Sequence, residues 1–194
     1  FCYFSIQIKE KNNDEFHRIQ KYSPNKEIGN IVKGINYSTF REQRSRLMNE
    51  STIAKVIRED DVEQLQEILS KTNISINSTI PYSIFEICQY VNRSETDMPT
   101  LIEFASFCGS IRTFKFLFMN DAKLKESTID YAINGGNIEI IHILESSNCS
   151  FNTALDAAIH DQKDDIVDYI LDNKGKQFNI DSVCTSIVNL NYKV

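Results

Sequence analysis

Thr100-Leu-Ile-Glu103-Phe-Ala105 returns 27 residues later as Ser127-Thr-Ile-Asp130-Tyr-Ala132, and 26 residues after that as Thr153-Ala-Leu-Asp156-Ala-Ala158. A stretch that comes back at near-constant spacing marks an internal repeat. Each copy opens on a Ser or Thr able to cap a helix and places, three residues on, an acid able to reach back to that cap, which is the spacing of a capping box. Three helices are therefore expected to start in phase. Five residues after each cap stands Ala105, Ala132 or Ala158, where only a small side chain lets neighbouring backbones approach closely.

The first two copies then reach Gly109 and Gly136, suited to the left-handed residue that ends a helix, while the third has Gln162. A second apolar run follows in each: Ile111, Phe114, Phe116, Leu117 and Phe118; Ile138, Ile140, Ile141, Ile143 and Leu144; Ile166, Val167, Tyr169, Ile170 and Leu171. Offsets of three and four dominate, the period of a helix with one wide apolar face. One short helix pair cannot bury such a face alone, so the pairs are expected to stack. Ile53, Val56, Ile57, Val62, Leu65, Ile68 and Leu69 repeat the phase earlier in the chain, with Asp60 at the glycine position. The expectation is an all-α solenoid of stacked antiparallel helix pairs, with repeats at about 50–73, 99–122, 127–149 and 153–175 and a partial unit at 181–194.

Aligned as cap, apolar residue, alanine, glycine and apolar pairs, these copies resemble ankyrin repeats, whose usual motif is Thr-Pro-Leu-His-x-Ala-Ala followed by Gly-His. Three departures stand out: Leu101, Thr128 and Ala154 replace the proline, acids replace the histidine, and the period falls short of about 33. Between Ala122 and Ser127 there is no room for the β-turn finger of ordinary ankyrin repeats, so fingers are expected to be short or absent. The run from Pro99 to Leu117, with Ser83-Ile-Phe-Glu86 and Phe40-Arg-Glu-Gln-Arg-Ser45, is similar to a divergent ankyrin family expanded in parasitic protists. The resemblance spans roughly Phe40 to Gly175 and implies a fold and a binding role. In ankyrin repeats the last two positions of each first helix lie on the concave, partner-facing side. Carried over, the pattern marks Arg58 and Glu59, Phe107 and Cys108, Asn134 and Gly135, and His160 and Asp161 as partner-binding, with Phe107 either an aromatic anchor or packed against the inserted segment.

Residues 1–47 read as an N-terminal helical or capping segment, carrying nine Lys or Arg against five acids, while the remaining residues carry twelve against twenty-two. The two parts attract each other. Arg41, Arg44 and Arg46 are expected to pair with the chain's own acids or to form a solvated helix face, because nucleic-acid binding calls for clustered positive charge and the net charge is −6. No nucleic acid, membrane or cofactor is expected. The stretch 76–98 reads as an insertion in which Pro81 argues against a continuous helix, with a short helix from about Ser83. The apolar start from Phe1 is too short for a signal core or a membrane span, and a monomeric cytoplasmic protein is expected. On that reading the six Asn-x-Ser/Thr triplets, at Asn36, Asn49, Asn73, Asn77, Asn92 and Asn148, are chance products of composition. Phe1 is not a methionine and a further unit begins near Asp181, so the chain is read as able to extend at either end.

The chemistry of the side chains points away from catalysis. Five cysteines, Cys2, Cys88, Cys108, Cys149 and Cys184, are scattered without a Cys-x-x-Cys pair, which disfavours a disulfide framework or zinc site. His17, His142 and His160 lack ligand spacing, so no metal is expected. No phosphate loop, nucleophile elbow or His-Glu-x-x-His is found. Asp164, Asp168 and Asp172 form a like-charged stripe at four-residue spacing, read as a solvated face. The expected function is a non-catalytic protein-interaction scaffold. Two rivals are a structural spacer within a larger protein and a thiol-dependent hydrolase using Cys108 with His160.

Overall fold

The computed structural model describes residues 48–83, 85, 86, 91, 97–147, 149–151 and 154–174, together with helical positions 11, 14, 17, 18, 42 and 46. The expected partial unit at 181–194, the cap Thr153, Cys2, Cys88 and Cys184, and nearly all of the expected 1–47 segment lie outside the described residues. The chain divides into two compact units, one of Phe1–Ser51 with Pro81–Asp97 and the other of Thr52–Ile80 with Met98–Val194. Most of the expected insertion thus belongs to the first unit.

In that first unit the chain is not helical at Ser83, Phe85 and Glu86, where the expected short helix would start, and the rest of that stretch lies outside the described residues. Polar side chains account for the difference: the Ser83 hydroxyl accepts from Phe85 N at 3.1 Å and donates to Glu50. Buried Asn49 donates its backbone N–H to the Glu86 carboxylate at 3.2 Å and its Nδ2 to Pro81 O at 2.6 Å. Such local side-chain bonds compete with helical ones.

The second unit is helical, and among the described residues no strand is present. Its helices come in pairs: α1 (Thr52–Arg58) and α2 (Val62–Thr72), α3 (Leu101–Cys108) and α4 (Ile111–Met119), α5 (Thr128–Gly135) and α6 (Ile138–Ser146), α7 (Ala154–His160) and α8 (Asp164–Lys174). Each first helix packs on its own second helix, and first helices pack in succession, α1 on α3, α3 on α5 and α5 on α7. Second helices do the same from α2 to α4 and from α4 to α6. Ala105, Ala132 and Ala158 are all fully buried, as close approach of the first helices requires. Around them Ile57, Leu101, Phe104, Phe114, Ile129, Ile133 and Ile140 supply the fully buried bulk. Burying a side chain of this kind is worth about 1.5–3 kcal/mol.

One turn recurs between the members of every pair. Asp60, Gly109, Gly136 and Gln162 all take left-handed backbone, with φ of 54°, 68°, 72° and 55°. After three of them the next N–H reaches back across the turn, Asp61 to Val56 O at 3.1 Å, Ser110 to Ala105 O at 3.0 Å and Lys163 to Ala158 O at 2.9 Å. This is the long bond of a Schellman motif, which satisfies carbonyls the helix leaves open. Glycine adopts it freely, whereas Asp60 and Gln162 hold it at a cost of about 1–2 kcal/mol each.

The helix starts are less uniform than their sequences. Thr100 forms the expected capping box, with Thr100 N donating to Glu103 Oε2 at 2.8 Å and Glu103 N to Thr100 Oγ1 at 3.4 Å. Ser127 does not cap α5, contrary to expectation: its backbone is right-handed helical, and its hydroxyl donates instead to Glu103 Oε1 at 2.6 Å. Lys125 Nζ joins the same carboxylate at 3.0 Å. Glu103 is therefore a buried junction between the start of α3 and the turn that enters α5. Burial pushes its carboxyl up, but the bonds from Ser127, Thr100 and Lys125 together outweigh that and hold it below the usual range.

The long excursion between α2 and α3 is closed at its base. Ile80 N donates to Pro99 O at 2.8 Å and Leu101 N to Ser78 O at 3.0 Å, pairing Thr79 with Thr100 in an isolated antiparallel bridge. Asp60 adds a second closure, since its carboxylate accepts from Thr113 N at 2.7 Å and Arg112 N at 3.0 Å and so caps α4 from the preceding pair. Arg112 in turn reaches Glu63 at 2.9 Å.

Candidate functional site

The succession of first helices brings their C-terminal ends into one row, and the eight residues singled out above lie along it. Each is delivered by the same device, a helix ended by a left-handed residue, so the backbone is constant and the side chains differ. At one end Arg58 holds its guanidinium 4.9 Å above the ring of buried Phe104, within cation–π range. Phe107, one turn further along α3, is half-buried and stacks on Phe104 with centroids 6.2 Å apart and planes inclined by 25°. Glu59 beside them is exposed.

Towards the other end the row is polar. Asn134 Nδ2 donates to Asp161 Oδ2 at 2.8 Å, linking α5 to the end of α7. His160 Nδ1 lies 2.8 Å from Asp161 Oδ1 and, because a carboxylate only accepts, this nitrogen carries the proton. The Asp161 side chain is only 9% exposed while that of His160 is half exposed, so Asp161 works inward and His160 faces out. Gly135 does something different again. A Cβ there would lie 2.1 Å from Ser106 O and 2.8 Å from Phe107 O, so its missing side chain is what lets α5 press on the end of α3.

Cys108, half-buried, ends α3, and His160 ends α7 with α5 packed in between. The structure brings His160 and Asn134 to Asp161, and brings Phe107 and Arg58 to Phe104. Among the described residues no group of three or more His, Cys, Asp or Glu side chains is arranged to hold a metal ion. Beside the row, an open groove of about 530 Å³ runs between Gly135 and Gly136 on one side and the first turn of α8 on the other, with Ile138, Lys163, Asp164 and Asp165 along it. Asp168 and Asp172 of the acidic stripe are exposed, and Asp164 is half-buried.

Two members of this arrangement were not legible as such. Phe104 reads in the sequence as plain core, yet it is the ring that Arg58 and Phe107 share; its spacing of three from Phe107 on a helix was the available signal. Asp161 reads as a surface acid, and only the packing of α5 against α7 makes it a nearly buried acceptor.

Compared with known proteins, the chain matches no protein-family model and no curated protein sequence. Among the described residues, no helix is long and apolar enough to cross a membrane.

Proposed function

We propose that this chain is a non-catalytic protein-interaction scaffold, its helix pairs stacked as an ankyrin-like solenoid with shortened repeats across residues 48–194, acting as a cytoplasmic monomer. The partner is a protein lying along the ends of the first helices, contacting Arg58, Glu59, Phe107, Cys108, Asn134 and His160, with Gly135 and Asp161 setting the spacing beneath. The observation that carries this reading is the recurrence of one left-handed turn at Asp60, Gly109, Gly136 and Gln162, each preceded by a different pair of side chains. A constant frame with variable residues along one edge suits recognition better than chemistry, which needs a nucleophile, base and orienting group assembled together.

The aromatic end of the row is the expected anchor. Phe107 is half-buried and backed by a fixed ring, so a partner side chain packing on it meets a rigid apolar surface, as interface hot spots require. Affinity capture from soluble lysate of the source organism compares the parent with the double variant Phe107→Glu plus Asn134→Arg, both verified as folded by circular dichroism. A protein retained by the parent and lost by the variant is the expected result. Identical captures from both would move the binding surface off this row.

A further inference from the structure

Asn134-Gly135 is a sequence in which a side-chain amide is open to attack by the next backbone nitrogen, because glycine has no side chain to shield it. We propose that this pair is a latent deamidation site, kept unreactive by the fold around α5 and α7, with water as its only co-reactant. In the reaction the Gly135 nitrogen releases its proton to solvent and attacks Asn134 Cγ. The new C–N bond closes a cyclic imide, the Cγ–Nδ2 bond breaks, and Nδ2 takes up a proton and leaves as ammonia. A water then opens the imide at either carbonyl, leaving aspartate or its isoaspartyl isomer. Net, an amide and water become an acid and ammonia.

Three observations show how the structure restrains that step. Both residues lie inside α5, and helical ψ of about −42° turns the following nitrogen away from Cγ. Asn134 Nδ2 is held by Asp161 at 2.8 Å, which fixes the amide in a rotamer facing α7. Gly135 is wedged against the α3 backbone, where a Cβ would lie 2.1 Å from Ser106 O, so the end of α5 cannot unwind without leaving α3. The pair nonetheless ends its helix, just before the left-handed Gly136, and helix ends are where local opening costs least. Reaction is therefore gated by fraying of the last turn of α5.

Its product changes the structure in a defined way. A carboxylate at 134 would face the nearly buried Asp161 carboxylate on the oxygen that His160 does not hold, replacing the hydrogen bond from Nδ2 by like-charge repulsion. The α5–α7 link at this end would be lost irreversibly, which makes the pair a chemical clock on the row. The inference concerns the link itself and stands whether or not a partner binds there.

The test is mass spectrometry of the peptide containing Asn134 after incubation at neutral pH and body temperature. It compares the folded parent, the parent unfolded in denaturant, and Asp161→Ala verified as folded. Deamidation in the folded parent is expected to be at least about tenfold slower than in the unfolded chain, with Asp161→Ala in between, since exchange-type reactions follow the opened fraction. Equal rates in folded parent and unfolded chain, or an Asp161→Ala rate equal to the parent's, would overturn it. Hydrogen exchange gives an independent arm. Asn134→Asp should lose protection across residues 154–160, and adding Asp161→Asn, which restores a donor–acceptor pair with its polarity reversed, should regain it. Equal protection in the single and double variants would also overturn the proposal.

Discussion

Glu103 and Gly135 are the two residues whose side chains, one present and one missing, most constrain the chain around them. Glu103 is 1% exposed and accepts from the Thr100 backbone and hydroxyl, the Ser127 hydroxyl and Lys125 Nζ. Its depressed carboxyl gives stability that is complete above the ordinary carboxylate range and is lost as pH falls through the folded value, which lies below that range. Glu103→Gln should lose about 1.5–3 kcal/mol near neutrality, and its stability should decline less on acidification than the parent's, as urea midpoints at several pH values would reveal. Gly135→Ala should destabilise by about 1–3 kcal/mol or more, because the added methyl meets backbone oxygens that cannot move without parting α3 from α5. A thermal midpoint equal to the parent's would mean the helices have room to separate. Of these two, the sequence made Glu103 visible as a helix acid but not as a junction, since Ser127 looked like a cap for its own helix. The role of Gly135 was hidden because the repeat pattern marked it as partner-facing, and the contact that requires it comes from Ser106 and Phe107 of α3, remote in sequence.

At the level of elements, the turns and second helices show what local sequence could and could not carry. Gly109 and Gly136 announced their left-handed turns, while Asp60 and Gln162 adopt the same conformation without glycine. Asp60 does so while capping α4 at Arg112 and Thr113, and the two effects oppose each other on substitution. Asp60→Gly loses a cap worth about 0.5–2 kcal/mol and relieves a strain of about 1–2 kcal/mol, so it should be close to neutral. Asp60→Ala loses the cap and keeps the strain, so it should be the more destabilising of the two in denaturant melts. The reverse order would show that the left-handed backbone at this position carries no strain. No local signal could have revealed that cap, because donor and acceptor are separated by the whole excursion between α2 and α3. Second helices were legible by their apolar period, yet one polar tie between them was not: Tyr169 of α8 donates to Glu145 of α6 at 2.6 Å, with the His142 ring packed edge-on at 5.2 Å. The bond to Glu145, with burial adding to it, pushes the phenol up to about 12. A raised value means the tie contributes fully below the unfolded tyrosine range near about 10 and is lost as pH rises through about 12. Spectrophotometric titration should show one of the eight tyrosines ionising last, and Glu145→Gln should bring it back among the others.

For the molecule as a whole, the apolar period was enough to give the helical class and the pairing of helices, because burial of one wide face leaves a short helix few alternatives. The path of residues 81–97 was not legible, since their grouping with the N-terminal unit rests on contacts remote in sequence. If helix pairs add stability mainly through their neighbours, hydrogen exchange should be slowest in α3 and α5, which are flanked on both sides, and faster in α8. Uniform protection across all four pairs would instead indicate a single cooperative block. The closure between Ser78 and Leu101 bears on what such a molecule can tolerate. Both ends of the excursion leave and re-enter side by side, zipped by two backbone bonds, and Asp60 fastens the pairs beneath. Because the entropy of a closed loop grows only with the logarithm of its length, doubling the excursion would cost about 0.6 kcal/mol. The bridge at Thr79 and Thr100 is in effect a clasp, which leaves the register of α2 and α3 to two backbone bonds and not to the length of chain beyond them.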